Sequence, residues 1–269
     1  MRETLRHPSG AKAAEGPVEA GLRQGTWLFW SERGCKLAEE EYLLGVRHGW
    51  HTSWHERTRL KRDEGAYERG ERVGKWTFWH ENGRMAREGE LRADREHGTW
   101  RSWHDNGELE SEGSFVSGAR DGEWVLYHRN GRVGERGLFR AGLRVGPWTS
   151  WHPNSAIGAH GEYAEGEREG AWTTWHKNGR VESKGLFVGG LRTGVWRVWW
   201  DSGTPRCEGS FVDGDPFGWW EFFFEHGVRR AMGEYREGRQ YGPWRWWNYD
   251  GSPDAENTGT YWDDVLQRR

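Results

Sequence analysis

Aromatic residues recur along the chain at a fixed beat, and polar residues fill the intervals. Tryptophan marks the beat at Trp27, Trp76, Trp100, Trp124, Trp148, Trp172, Trp196, Trp220 and Trp244. A second aromatic follows three residues later, at Trp30, Trp54, Trp79, Trp103, Tyr127, Trp151, Trp175, Trp199, Phe223 and Trp247. Glycine precedes each beat by two residues, in steps of 24 with a single step of 25. Only the second repeat breaks the beat, with His51 in the tryptophan place and Trp50 one residue early. A histidine follows the second aromatic at His55, His80, His104, His128, His152 and His176. Self-similarity at a fixed period is the signature of a repeat architecture.

Each unit reads as two short strands and two turns. Asn82-Gly83, Asn106-Gly107, Asn130-Gly131 and Asn178-Gly179 predict two-residue hairpin turns, since both residues tolerate positive φ. A Gly-x-aromatic step follows, as in Gly113-Ser114-Phe115, and a second Gly-bounded turn returns the chain to the next beat. Helix is disfavoured, because glycine recurs densely and no period of about 3.6 residues persists beyond a turn. The array is expected over 16–262, with residues 1–15 as a flexible tail and 263–269 as a C-terminal tail.

Alternation along a strand then assigns faces. With a two-residue turn at Asn82-Gly83, Trp76, Phe78 and His80 share one face, Met85 opposes His80, and Gly89 opposes Trp76. Each beat ring is expected to lie over the bare main chain of its opposed glycine. The second aromatics form a stripe on the other face, in a field of Glu, Thr and Arg. The predicted fold class is all-β, with about ten 24-residue hairpin units forming an elongated, twisted antiparallel sheet or solenoid. No helix is available to cover its apolar face. Neighbouring rings must cover one another, or a second copy or a partner must do so.

Composition sharpens this picture. The chain holds 41 Gly and 22 Trp but only 34% hydrophobic residues, so rings replace the usual aliphatic core. A net charge of −3, without a Lys/Arg block, favours neither nucleic acid nor an anionic membrane. The excess of Arg over Lys is read as compositional. No stretch approaches the ~20 apolar residues of a membrane span. The first residues lack an apolar signal segment, and a cytoplasmic location is expected. Cys35 and Cys207 fall in distant repeats and are expected as isolated thiols.

The pattern G-x-W-x-x-W-H-x-N-G followed by G-x-[FY]-x-x-G resembles the MORN repeat, closest to a Trp-rich bacterial variant seen in tandem arrays that include antitoxin-type proteins. The resemblance implies a β-hairpin array with a binding or scaffold role, often with dimerisation, and no activity of its own.

The residues agree with a non-catalytic reading. There is no nucleophile elbow, zinc-protease or Walker pattern, and every prominent polar residue recurs at repeat spacing instead of converging at one place. Successive histidines of the column stand two strands apart, about 9–10 Å, too far to share a metal; each is expected beside the aliphatic residue opposite it, with one nitrogen in water. No catalytic residue, cofactor or metal is predicted. The expected function is protein binding, as a scaffold or an antitoxin/immunity-like partner. Its contact residues would be Trp79, Trp103, Tyr127, Trp151, Trp175 and Trp199. A glycan-binding array and a peripheral lipid-binding scaffold are the alternatives. The missing secretion signal weighs against the first, and the missing basic patch against the second.

Overall fold

The structure, a computed structural model, describes residues 1–267. These residues form 24 β-strands and no helix, as the alternation and glycine density predict. Two compact units divide the chain, residues 1–132 with 139–142 and residues 133–138 with 143 onward. In both units successive strands pair antiparallel, so each repeat is a hairpin.

In the first unit, Glu71–Trp79 pairs with Met85–Arg92, with Gly74 opposite Leu91 and Trp76 opposite Gly89, as expected. The expected turn is corrected. The His80 N–H donates to the Arg84 carbonyl and the Gly83 N–H to the His80 carbonyl, so the loop has three residues, Glu81-Asn82-Gly83. Gly83 alone has positive φ there (81°) and Asn82 does not. This is a type I turn closed by a left-handed glycine. The extra residue shifts the register, and Met85 opposes Trp79 instead of His80. Leu109, Ile157 and Val181 likewise oppose Trp103, Trp151 and Trp175. The two-residue turn with both φ positive sits at the other end of the hairpin, as at Ser117-Gly118 (51° and 87°).

The core is built around the beat tryptophans, all nine at most 5% exposed. Each ring does cover a glycine, but not the one opposite it in its own hairpin. A Cβ on Gly89 would stand 2.2 Å from Trp100, one repeat on, and a Cβ on Gly185 would stand 2.2 Å from Trp196. The cause is a slip in the ladder. Between Gly113↔Trp124 and Ser114↔Asp121 two residues bulge out, including Gly122 with φ of 81°. The freed Ser114 carbonyl accepts the Trp124 indole N–H at 3.0 Å, and the same bond recurs from Trp196 to Leu186 at 3.1 Å. Bulge, glycine and indole form one device that locks a repeat onto its predecessor.

The aromatic two residues beyond most of these glycines joins the rings edge to face, while Leu91 takes that place after Gly89. In the second unit the ladder runs Trp148–Tyr163–Trp172–Phe187–Trp196–Phe211–Trp220–Tyr235–Trp244, with centroids 5.0–6.2 Å apart. Each such pair contributes about 0.5–1.5 kcal/mol beyond its buried area. Arginine closes the ladder from outside. Arg144 lies 4.2 Å over Trp148 and Arg192 4.6 Å over Trp196. The column of arginines is therefore architectural, not merely compositional. It supplies, with the rings, the cover that a helix gives other sheets.

Within the expected tail 1–15, Arg2–Arg6 pairs with Lys12–Glu19, the strand whose Gly16 lies beneath Trp27. At the other end Val265–Gln267 pairs with Gly259–Trp262; of the expected tail 263–269, Arg268 and Arg269 lie outside the described residues.

Candidate protein-binding faces

The six predicted contact residues each end a strand. Trp79, Trp103 and Tyr127 stand in the first unit, Trp151, Trp175 and Trp199 in the second, and all six are half-buried. Their main chain is already used. His55, His80 and His104 Nε2 reach the carbonyls of Trp79, Trp103 and Tyr127 at 3.0, 2.8 and 3.1 Å. His152 and His176 reach those of Trp175 and Trp199 at 2.7 and 2.9 Å. The histidine column thus ties each repeat to the next through Nε2. Its signal in the sequence was the fixed 23–24-residue offset from a strand-end aromatic. Asn82, Asn106 and Asn178 add parallel ties, donating Nδ2 to the carbonyls of Asp105, Arg129 and Asp201.

We expect His80→Ala to lower stability by about 1 kcal/mol, the net value of one such bond, read as a shift in the urea midpoint. A shift no larger than that of an exposed control such as Glu68→Ala would remove the clamp role.

The second repeat holds a buried ionic cluster that the sequence reading missed. Glu40 stands opposite both Trp27 and His51, where other repeats place glycine. His51, in the tryptophan place, is 5% exposed and stacks on Trp76 at 5.6 Å. Its Nε2 lies 2.8 Å from Asp63 Oδ1 and its Nδ1 3.4 Å from Glu40 Oε1. Glu40 also accepts from Tyr42 Oη at 2.5 Å and pairs with Arg47 at 3.0 Å. Repeat arithmetic contained the signal, since the glycine and the tryptophan of one junction are both replaced.

Burial pulls the His51 pKa down, but its bonds to Asp63 and Glu40 outweigh burial and the net shift is upward. Burial pushes Asp63 and Glu40 up, and their bonds from His51 and its neighbours hold both below the usual carboxylate range. With carboxylates at both nitrogens, the imidazolium is the fitting form. The raised histidine stabilises fully below its unfolded pKa of about 6.5 and loses that contribution as pH rises through the folded value. The lowered carboxylates stabilise above their unfolded values of about 4 and lose theirs as pH falls. This repeat is therefore most stable between about pH 4.5 and 6.5. A ring-proton titration of His51 should give a midpoint above that of free histidine; a midpoint at or below it refutes the pairing.

In the second unit the ring face opens into a groove of about 510 Å³. Its floor includes Trp172, Phe187, Trp196 and Phe222, and Arg168, Arg192, Arg206 and Arg230 stand at its walls. Arg168 lies 4.5 Å over Trp172, Arg206 4.6 Å over Trp200, and Arg230 5.7 Å over Phe222. Cys207 lines the same groove as a free thiol, raised in pKa by burial. Among the described residues no group of three or more His, Cys, Asp or Glu is placed to hold a metal ion. Among the described residues no helix is long and apolar enough to cross a membrane.

Among curated proteins none matches the sequence of this chain. Solved structures with a partial likeness include a TcdB2–TccC3–Cdc42 crystal structure, at 10% identity and TM-score 0.20, over 91% of this chain and 19% of that chain. Another is a Tc holotoxin pore of Photorhabdus luminescens, at 9% identity and TM-score 0.20, over 98% of this chain and 18% of that one. The chain spans less than a fifth of their length, and at these scores the likeness bears on neither fold nor function. The family described as the MORN repeat variant matches residues 72–92, 96–117 and 168–188. Each matched stretch spans one beat tryptophan and the three-residue turn of a single hairpin, the Gly-x-aromatic step is present in the second and third with Leu91 in its place in the first, and in these three stretches the chain matches the MORN repeat variant.

Proposed function

We propose that this chain is a non-catalytic, repeat-type scaffold that binds a protein partner. The observation that carries the reading is a division of labour within the repeat. Residues that recur, the beat tryptophan, its glycine, the histidine and the turn asparagine, are spent on neighbouring repeats. Many residues that vary between repeats, such as Lys75, Arg101 and Val195, are exposed and available to distinguish partners, as in solenoid arrays along an extended surface. An antitoxin- or immunity-like role is the finer form of this reading, with a toxin as the partner class.

Cross-linking in extract followed by reconstitution with the purified partner tests it. The expected result is a stoichiometric protein complex measured by calorimetry. Binding only to glycans, or only to vesicles carrying anionic lipid, would overturn the protein-scaffold reading in favour of one of its alternatives.

A further inference from the structure

Several arginines elsewhere in the ladder have a carboxylate partner: Arg47 pairs with Glu40, Arg72 with Asp94 and Arg144 with Glu135. Arg144 is half-buried, whereas Arg168, Arg192, Arg206 and Arg230 are exposed. Among the described residues none of these four has a carboxylate within ion-pair distance. For Arg168 and Arg192 the repeat explains why: the position that holds Glu135 beside Arg144 is Ala159 for the first and Ser183 for the second. Glu182 is the only acidic residue lining the groove, and it accepts from Thr174 Oγ1 at 3.1 Å. Four guanidiniums therefore face one concavity with a single carboxylate among them.

Their spacing narrows the ligand. Arg168 and Arg192 occupy one register 24 residues apart, and so do Arg206 and Arg230. Equivalent residues of successive repeats stand two strands apart, about 9–10 Å. A polyproline II segment advances about 9.3 Å per three-residue turn and returns every third side chain to the same side. Carboxylates at every third position would therefore meet successive arginines. Guanidiniums stacked on rings keep their N–H edges free for bidentate pairing with carboxylates. Aromatic floors are the usual seat of polyproline II segments.

We propose that this groove binds an acidic, extended polypeptide segment carrying Asp or Glu at every third position. The inference rests on the scaffold reading and names the chemistry of the partner. A protein segment is favoured over a membrane or nucleic acid because the arginines lie within a concavity, and the chain as a whole carries a net charge of −3.

Fluorescence anisotropy on the full chain tests this with a labelled peptide bearing Glu at every third residue. The comparison peptides are a Gln analogue and a scrambled peptide of equal charge. The spaced-Glu peptide should bind about tenfold tighter than either, and more weakly as salt rises. Arg206→Glu with Arg230→Glu should abolish the preference. Arg197→Gln, whose native residue pairs with Glu208, should leave it intact, with thermal midpoints confirming that the variants fold. Equal binding of the three peptides overturns the inference, as does preference for phosphatidylserine vesicles or a single-stranded oligonucleotide. If the groove variant still binds the cross-linked partner at wild-type strength, the groove inference fails while the scaffold stands. If no protein partner exists, the scaffold reading fails by itself.

Discussion

Gly185→Val is expected to cost at least about 3 kcal/mol and to expose one indole to water. The backbone of Gly185 is outside the positive-φ region, so no conformational strain enters. The whole effect comes from space: a Cβ there would stand 2.2 Å from Trp196. Overpacking alone costs about 1–3 kcal/mol. The main chain on both strands is held by the ladder, so the ring must leave. It then forfeits its burial, about 1.5–3 kcal/mol, and its bond to the Leu186 carbonyl. Urea unfolding followed by tryptophan fluorescence reads both effects, as a lower midpoint and a red-shifted native spectrum. Gly185→Val with Trp196→Ala should cost less than the sum of the single changes, since valine enters space the ring vacated. A single-variant loss below about 1 kcal/mol would mean that the ring does not rest on this glycine.

The second large effect is a coupling. His51→Trp alone places an indole over Glu40 and deprives Glu40 and Asp63 of the imidazolium, leaving Arg47 and Arg62 as their counter-charges. Breaking a buried pair by removing one partner costs about 3 kcal/mol where other counter-charges remain. Glu40→Gly alone removes one partner of His51 and opens a hole beside it. The double variant recreates the tryptophan-on-glycine junction of the other repeats. It should be more stable than His51→Trp by at least about 2 kcal/mol. Arg47 would then lack a carboxylate, a state Arg168 and Arg192 already tolerate. Additive single effects would show that Glu40 and His51 are not a substitute for the glycine and the ring.

Much of this architecture was legible before any coordinate. The beat gave the repeat, the alternation gave Trp76 opposite Gly89, and glycine density excluded helix. What escaped was displacement along the strand. Asn-Gly fits both a two-residue turn and the last two places of a three-residue one, and the choice shifts Met85 from His80 to Trp79. Glycine two places before each beat was visible, yet its meaning as a bulge emerges only when strands of adjacent repeats are laid side by side. That slip decides which ring covers which glycine. The stripe of second aromatics was visible in the sequence, but ties through its carbonyls depend on neighbouring hairpins and have no signal within one repeat. The groove arginines were visible only as part of an excess, because their lack of acidic partners is a property of three strands together.

The tie between histidine and the following strand-end carbonyl has an evolutionary consequence. Its acceptor is a main-chain atom, which every amino acid supplies. A gene segment encoding one hairpin can thus be duplicated or lost in phase while the new neighbours still fit. The junction of Glu40 with His51 is the exception, since it is a lock cut for one key. Recombination through that boundary would bring a glutamate beneath an indole, so growth and shrinkage of such a gene are channelled to the other seams.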